Sequence, residues 1–203
     1  MERPRINVID DDPSVLKSLA RLLAASGFEV RTFSSAHEFL AQHDGAGPGC
    51  VIADLSMPGL DGLGLQQALA QRDGGAAMVF ISGCGDVPSS VRAMKAGAVD
   101  FLTKPFDEAA LLAAVGNALE RDRAARAARG ARETVERRLD TLTRREREVL
   151  GQLLTGRLNK QIAAELGTAE KTIKVHRARV LHKMGTRSVV ELVRLTAPGL
   201  GTT

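Results

Sequence analysis

Cys50-Val51-Ile52-Ala53-Asp54-Leu55-Ser56-Met57-Pro58-Gly59 is the stretch whose reading decides the fold. Four apolar residues in an unbroken run, closed by a Pro-Gly pair, fit a strand covered by helices on both faces, where no solvent side remains to alternate with. Asp54 then emerges at the carboxyl end of that strand, the edge at which open α/β sheets bind ligands. Working outward, Ile6-Asn7-Val8-Ile9 runs into Asp10-Asp11-Asp12, and Met78-Val79-Phe80-Ile81 runs into Ser82-Gly83. Val99-Asp100-Phe101-Leu102-Thr103 runs into Lys104-Pro105. Helices are expected near 13–26, 35–43, 61–71, 87–97 and from 107 onward, with Ser35-x-x-Glu38 as a capping box and Gly27 and Gly97 as stop signals. Five strands with intervening helices predict a doubly wound parallel sheet of order 2-1-3-4-5.

The strand ends bring carboxylates, a hydroxyl and an ammonium to one edge. Several carboxylates there repel one another unless a hard cation neutralises them, and oxygen-only donors with room for water suit Mg²⁺. A carboxylate so placed that meets a phosphate donor can act as a nucleophile and become an aspartyl phosphate, with Ser82 and Lys104 holding the new phosphoryl oxygens. Taken singly, an Asp after a strand is a turn former or helix cap. Asp12 before Pro13, Asp61 before Gly62 and Asp107 before Glu108-Ala109 are expected to be caps. The conjunction separates Asp10, Asp11, Asp54, Ser82 and Lys104 from that group.

Over residues 1–118 this constellation resembles the receiver domain of two-component response regulators. The resemblance implies that Asp54 is the phosphoacceptor and Asp11 a direct ligand of Mg²⁺ or Mn²⁺. Asp10 would help through water, and the Ser56 backbone carbonyl would complete the protein's share. It further implies that Ser82 is the switch hydroxyl, Phe101 the coupled aromatic, and Lys104 the lysine before a cis Pro105. Phe101 lacks the hydroxyl of a Tyr, so its inward and outward positions would differ by packing alone.

Composition agrees with two small domains in 203 residues. No apolar stretch approaches membrane-spanning length and no signal-peptide pattern begins the chain, so a soluble, cytoplasmic protein is expected. Two cysteines, Cys50 and Cys84, are too few for a disulfide framework; Cys50 is expected to pack as a small apolar residue and Cys84 to lie near the site. Charge is uneven. Residues 1–118 hold 9 Lys/Arg against 14 Asp/Glu, residues 119–142 hold 7 against 5, and residues 143–203 hold 12 against 5. An acidic head and a basic tail point to metal binding in one and nucleic-acid binding in the other.

From Asp107 helical patterning continues past the sheet domain, with Leu111, Leu112, Val115 and Leu119 as its packing face. Residues 119–140 are rich in Arg, Glu and Ala, and read as a solvated helical linker with Gly130 as a weak point. The remaining residues, 141–203, open with the capping box Thr143-Arg144-Arg145-Glu146 and carry Val149, Leu150, Leu153 and Leu154 on one face. A short helix at Asn159–Leu166, a Gly167-Thr168 turn and a helix starting near Ala169 describe a helix-turn-helix. A last helix starts with the capping box Ser188-Val189-Val190-Glu191.

On the helix after Ala169, Ile173, Val180, Leu181 and Met184 are expected to face inward. Lys171, Lys174, Val175 and Ala178 would form an outward stripe flanked by Thr172, Arg177 and Arg179, the portion that enters a major groove. Lys donates to guanine edges and Val or Ala meets a thymine methyl, whereas Arg177, Arg179, Lys160 and His176 are better placed for phosphates. Leu142–Leu150, Asn159–Ala163 and Thr172–Arg177 resemble the LuxR-type DNA-binding domain. With the receiver, they resemble the FixJ branch of the FixJ/NarL response regulators. That resemblance implies a sensor histidine kinase as phosphodonor, double-stranded DNA as target, a homodimer on phosphorylation, and RNA polymerase as a candidate partner. No kinase motif is visible and no enzyme is expected. A Mg²⁺-dependent phosphohydrolase would need a carboxylate two residues after its nucleophile, where this chain has Ser56. A phosphorylation-independent regulator that keeps the receiver fold is the alternative left open.

Overall fold

The computed structural model describes residues 4–43, 47–72, 75–83 and 87–196. The chain divides into two compact units, Met1–Arg126 and Ala127–Thr203. Cys84 lies outside the described residues.

In the first unit the elements alternate in chain order. They are β1 (Arg5–Ile9), α1 (Pro13–Ala25), β2 (Glu29–Phe33), α2 (Ala36–Gln42), β3 (Gly49–Asp54), α3 (Gly62–Ala70), β4 (Met78–Ser82), α4 (Val87–Lys95) and β5 (Asp100–Thr103). A long helix, α5 (Glu108–Asp140), follows and includes the residues read as a linker. All strand pairs are parallel and the order is β2-β1-β3-β4-β5, as the sequence predicts.

Successive side chains of a strand point to opposite faces, which divides the apolar runs between two cores. Ile9, Val51, Ala53, Met78 and Phe80 meet Phe39, Leu65, Leu69 and Ala93 on one face. Ile6, Val8, Cys50, Ile52, Val79 and Ile81 meet Leu19, Leu23, Leu111 and Val115 on the other. The packing face of α5 differs in detail from the sequence reading. Leu111, Ala114, Val115 and Ala118 are buried, and Leu112 and Leu119 lie at the margins. Ala114 and Ala118 are too small to stand out in a pattern of large apolar residues, yet both lie wholly inside the core.

Helix starts follow the local chemistry. Asp12 accepts the Ser14 N–H with Pro13 in the first turn, Asp61 accepts the Gly64 N–H, and Asp107 accepts the Ala110 N–H. Ser35 caps α2 through the Glu38 N–H, but the Glu38 carboxylate turns to the N–H and hydroxyl of Ser34, where it gains two donors instead of one.

The second unit holds α6 (Arg144–Leu154), α7 (Asn159–Glu165), α8 (Glu170–Met184) and α9 (Val189–Thr196). Leu142, Val149, Leu150, Leu153, Ile162, Ile173, Val180, Met184 and Leu192 form its core, with Val135 and Leu139 from the end of α5 packed against it. The Thr143–Glu146 capping box is complete. At α9 the reciprocal bond from Glu191 goes to the Arg187 N–H, one residue before the cap. Gly185, in the left-handed region at φ 66°, ends α8.

Register decides what reaches the sheet's carboxyl edge. Asp54 pairs with Ile81 and Ser82 with Thr103, so Asp54, Ser82 and Lys104 emerge together, and Asp10 follows Ile9 on the neighbouring strand. Gly62 holds α3 close behind this edge. A Cβ there would lie 2.7 Å from the Asp54 carbonyl oxygen and 2.9 Å from Phe80 Cε1. Gly62→Ala is expected to destabilise the first unit by about 1–3 kcal/mol through overpacking, read as a lower urea midpoint at constant slope.

Candidate functional site

At the end of β1 and β3 two carboxylates are almost fully withdrawn from solvent: Asp10 is 1% and Asp54 6% exposed. Between them stands Lys104, its Nζ 2.8 Å from Asp10 Oδ2 and 2.8 Å from Asp54 Oδ1. The other oxygens accept backbone donors, the Asp12 N–H at 2.9 Å on Asp10 Oδ1 and the Ser56 N–H at 2.7 Å on Asp54 Oδ2. Burial pushes the Lys104 ammonium down, but its hydrogen bonds to Asp10 and Asp54 and their charges outweigh that, and its pKa is raised above 10.5. Lysine therefore stays charged and neutralises part of the edge.

The remaining residues named from sequence fall around this centre. Ser82 is buried at the end of β4, and its carbonyl accepts the Lys104 N–H at 2.7 Å. Phe101 is half-buried on β5 against the core shared by α2, α3 and α4. Asp11 and Ser56 are exposed, and the Lys104–Pro105 peptide is cis. Among the described residues no three acidic, His or Cys side chains are gathered into a metal-binding cluster. Asp10, Asp11, Asp54 and the Ser56 carbonyl would offer oxygen donors only, a chemistry that suits Mg²⁺ or Mn²⁺, ions that keep several waters and use one or two carboxylates beside a substrate phosphate.

In the second unit α8 separates its chemistry by face. Ile173, Val180 and Met184 are buried. Lys171, Thr172, Lys174, Val175, Ala178 and Arg179 are exposed on α8, as is Lys160 on α7. Arg177 is half-buried, with its guanidinium 3.4 Å from Asn159 Oδ1, and His176 is half-buried with Nδ1 buried and without a partner among the described residues. Both are thus less open than the stripe beside them.

The sequence reading named none of the clamps that hold this helix. Lys183 Nζ donates to Glu146 Oε2 at 2.7 Å and to the Thr141 carbonyl at 2.9 Å. Arg138 donates to the Met184 carbonyl at 2.8 Å, and Arg145 to the Leu166 carbonyl at 2.6 Å, satisfying the ends of α8 and α7. The capping box was the signal for Glu146, but nothing local marks a partner 37 residues away.

The comparisons with known proteins agree with this arrangement. Residues 6–116 match the response regulator receiver domain, and residues 140–196 match the luxR family of bacterial regulatory proteins. The chain belongs to the FixJ/NarL family of two-component response regulators. It is 44% identical to Nodulation protein W of Bradyrhizobium diazoefficiens, over 93% of this chain and 83% of that protein. It is 45% identical to the transcriptional regulatory protein FixJ of Azorhizobium caulinodans, over 94% of this chain and 90% of that protein. Among solved structures, the response regulator StyR aligns with a TM-score of 0.84 at 45% identity, covering 95% of this chain and 98% of that one. Full-length FixJ from B. japonicum aligns with a TM-score of 0.60 at 40% identity, covering 96% of each chain.

Family membership makes this chain a two-component regulator of transcription, which implies a kinase as phosphodonor and DNA as target. No helix among the described residues is long and apolar enough to cross a membrane.

The Glu146 clamp makes the second unit sensitive to acid. Hydrogen bonding to Lys183 holds the carboxyl at a pKa of about 2, below its ordinary 4.5. A pKa depressed by folding stabilises the fold above the ordinary value and loses that contribution as pH falls through the folded one. The unfolding midpoint of the second unit is therefore expected to decline between about pH 4.5 and 2. Glu146→Gln should flatten that decline in a pH series of denaturant melts, and an equally steep one would contradict the assignment.

Proposed function

We propose that Asp54 accepts a phosphoryl group from a sensor histidine kinase in the presence of Mg²⁺, and that this modification controls sequence-specific binding of α8 to DNA. The supporting observation is the Lys104 ammonium held 2.8 Å from both Asp10 and Asp54 at the carboxyl edge of the sheet. An Asp54 oxygen attacks phosphorus, the bond from phosphorus to the donor's imidazole nitrogen breaks, and the electron pair leaves with that nitrogen. Mg²⁺, when bound with Asp10, Asp11, Asp54 and the Ser56 carbonyl, supplies positive charge to the incoming phosphoryl oxygens. Lys104 can keep one carboxylate neutralised while it turns to a phosphoryl oxygen, and the Ser82 hydroxyl donates to another.

Drawing Ser82 toward the phosphoryl group opens space into which Phe101 repacks, and the surface of α4 and β5 changes with it. We assign that surface to phosphorylation-linked homodimer formation. A dimer presents two α8 helices to half-sites about one helical turn apart, with RNA polymerase as a further partner at the promoter. Moving a two-state equilibrium from 1:99 to 99:1 takes about 5.5 kcal/mol of differential stabilisation, within reach of a few charge-assisted hydrogen bonds.

The test compares the full chain with Asp54→Asn after treatment with acetyl phosphate and Mg²⁺, reading DNA affinity and oligomer size on the same samples. The wild type is expected to dimerise and bind more tightly, and the variant to stay at the basal level. DNA binding in both proteins with no response in either would favour the phosphorylation-independent regulator.

On the DNA side, Lys174→Ala is expected to cost about 1–3 kcal/mol at its base pair and relax specificity there. Lys160→Ala should weaken all sequences alike and lower the salt slope by about one. Binding isotherms at several salt concentrations, on operator and unrelated DNA, separate the two effects.

A further inference from the structure

α4 rests on the sheet through small side chains. Its buried residues are Ser89 and Ala93, whereas Val87, Val91 and Met94 are 69%, 44% and 45% exposed. Little apolar area therefore fixes its position, because hydrophobic stabilisation scales with the area removed from water. A polar contact contributes instead. Gln66, on α3, is 6% exposed, and its Nε2 donates to the Ala93 carbonyl at 3.2 Å. The same carbonyl accepts the Ala98 N–H at 3.0 Å, at the Gly97 turn that leads from α4 toward β5. One carbonyl thus joins α3, the end of α4 and the approach to β5.

The other end of the amide has no partner among the described residues: Gln66 Oε1 is buried without a hydrogen bond from any of them. An apolar side chain of the same length would fill this place without stranding an acceptor, so packing alone does not account for a glutamine. Displacing α4 would strand Nε2 as well, and a buried amide unpaired at both ends is less favourable than one that keeps a single bond. Glutamine here favours the present position of α4 over a displaced one. The strands on either side of α4 in the chain end in Ser82 and, past β5, in Lys104, with Phe101 between them.

We infer that Gln66 is a positioning residue, a clasp on α4 that sets how much phosphodonor is needed to move it. The second half of this inference rests on the phosphorylation reading above. Gln66→Met, tested in the full chain, keeps an unbranched side chain and removes both the donor and the stranded acceptor; Gln66→Leu is the second variant should the first misfold. Three readouts apply: amide hydrogen exchange over residues 87–98 without phosphodonor, the thermal midpoint, and the acetyl phosphate concentration giving half-maximal DNA binding with Mg²⁺.

The clasp predicts exchange about five-fold faster over these residues, the equivalent of one net hydrogen bond, with a midpoint that does not fall. The half-maximal phosphodonor concentration should drop by about the same factor. Unchanged exchange overturns the clasp. Faster exchange with an unchanged phosphodonor requirement overturns its part in switching. A wild type that takes no phosphoryl group would instead overturn the phosphorylation reading, and the exchange rates would still decide on the clasp.

Discussion

The ammonium of Lys104 between the carboxylates of Asp10 and Asp54 is the interaction on which the candidate site of the first unit depends. Two carboxylates 1% and 6% exposed cannot sit side by side at a sheet edge without a counter-charge. The parallel sheet supplies it from the far side of the order: Lys104 follows β5, with β3 and β4 between it and β1. Fold and site are therefore one construction. The register that aligns Asp54 with Ile81 and Ser82 with Thr103 is the register that brings the lysine within 2.8 Å of both acids.

The second unit solves a parallel problem with different parts. If α8 reads DNA as proposed, it must hold its inner face fast while its outer face stays free, and its supports do come from its far end. Lys183 and the Met184 carbonyl are gripped by Glu146 and Arg138, and the basic stripe around Lys171 and Lys174 is left exposed. The inward Ile173, Val180 and Met184 complete the division.

Much of this was legible in the sequence because the deciding signals are local. β1, β3 and β4 read clearly as unbroken apolar runs, since both their faces are covered. β2 could be counted but not quoted: it is an edge strand in which only Phe33 is buried, and Glu-Val-Arg-Thr-Phe carries no such run. Caps at Asp12, Asp61, Asp107 and Thr143 follow from side chains that can reach only their own first turn. What escaped the sequence is set by distance along the chain. Lys183 meets Glu146 and Arg138 meets the Met184 carbonyl only because helices cross, and Gln66 looks like any surface glutamine until α4 covers it. The face of α5 was legible only in part: Leu111, Leu112, Val115 and Leu119 do pack on the core, but Ala114 and Ala118 are buried with them, which hydrophobic size does not announce.

The claim that joins these parts is that the Lys104-held carboxylate of Asp54 is the group that carries the phosphoryl signal. Site mapping tests it most directly. The chain is exposed to acetyl phosphate and Mg²⁺, trapped by borohydride reduction of the acyl phosphate, digested, and read by peptide mass. The account predicts reduction at Asp54 and at no other carboxylate, Asp10 and Asp11 included. A label on a different residue, or none in a chain that still answers to phosphodonor, would contradict it.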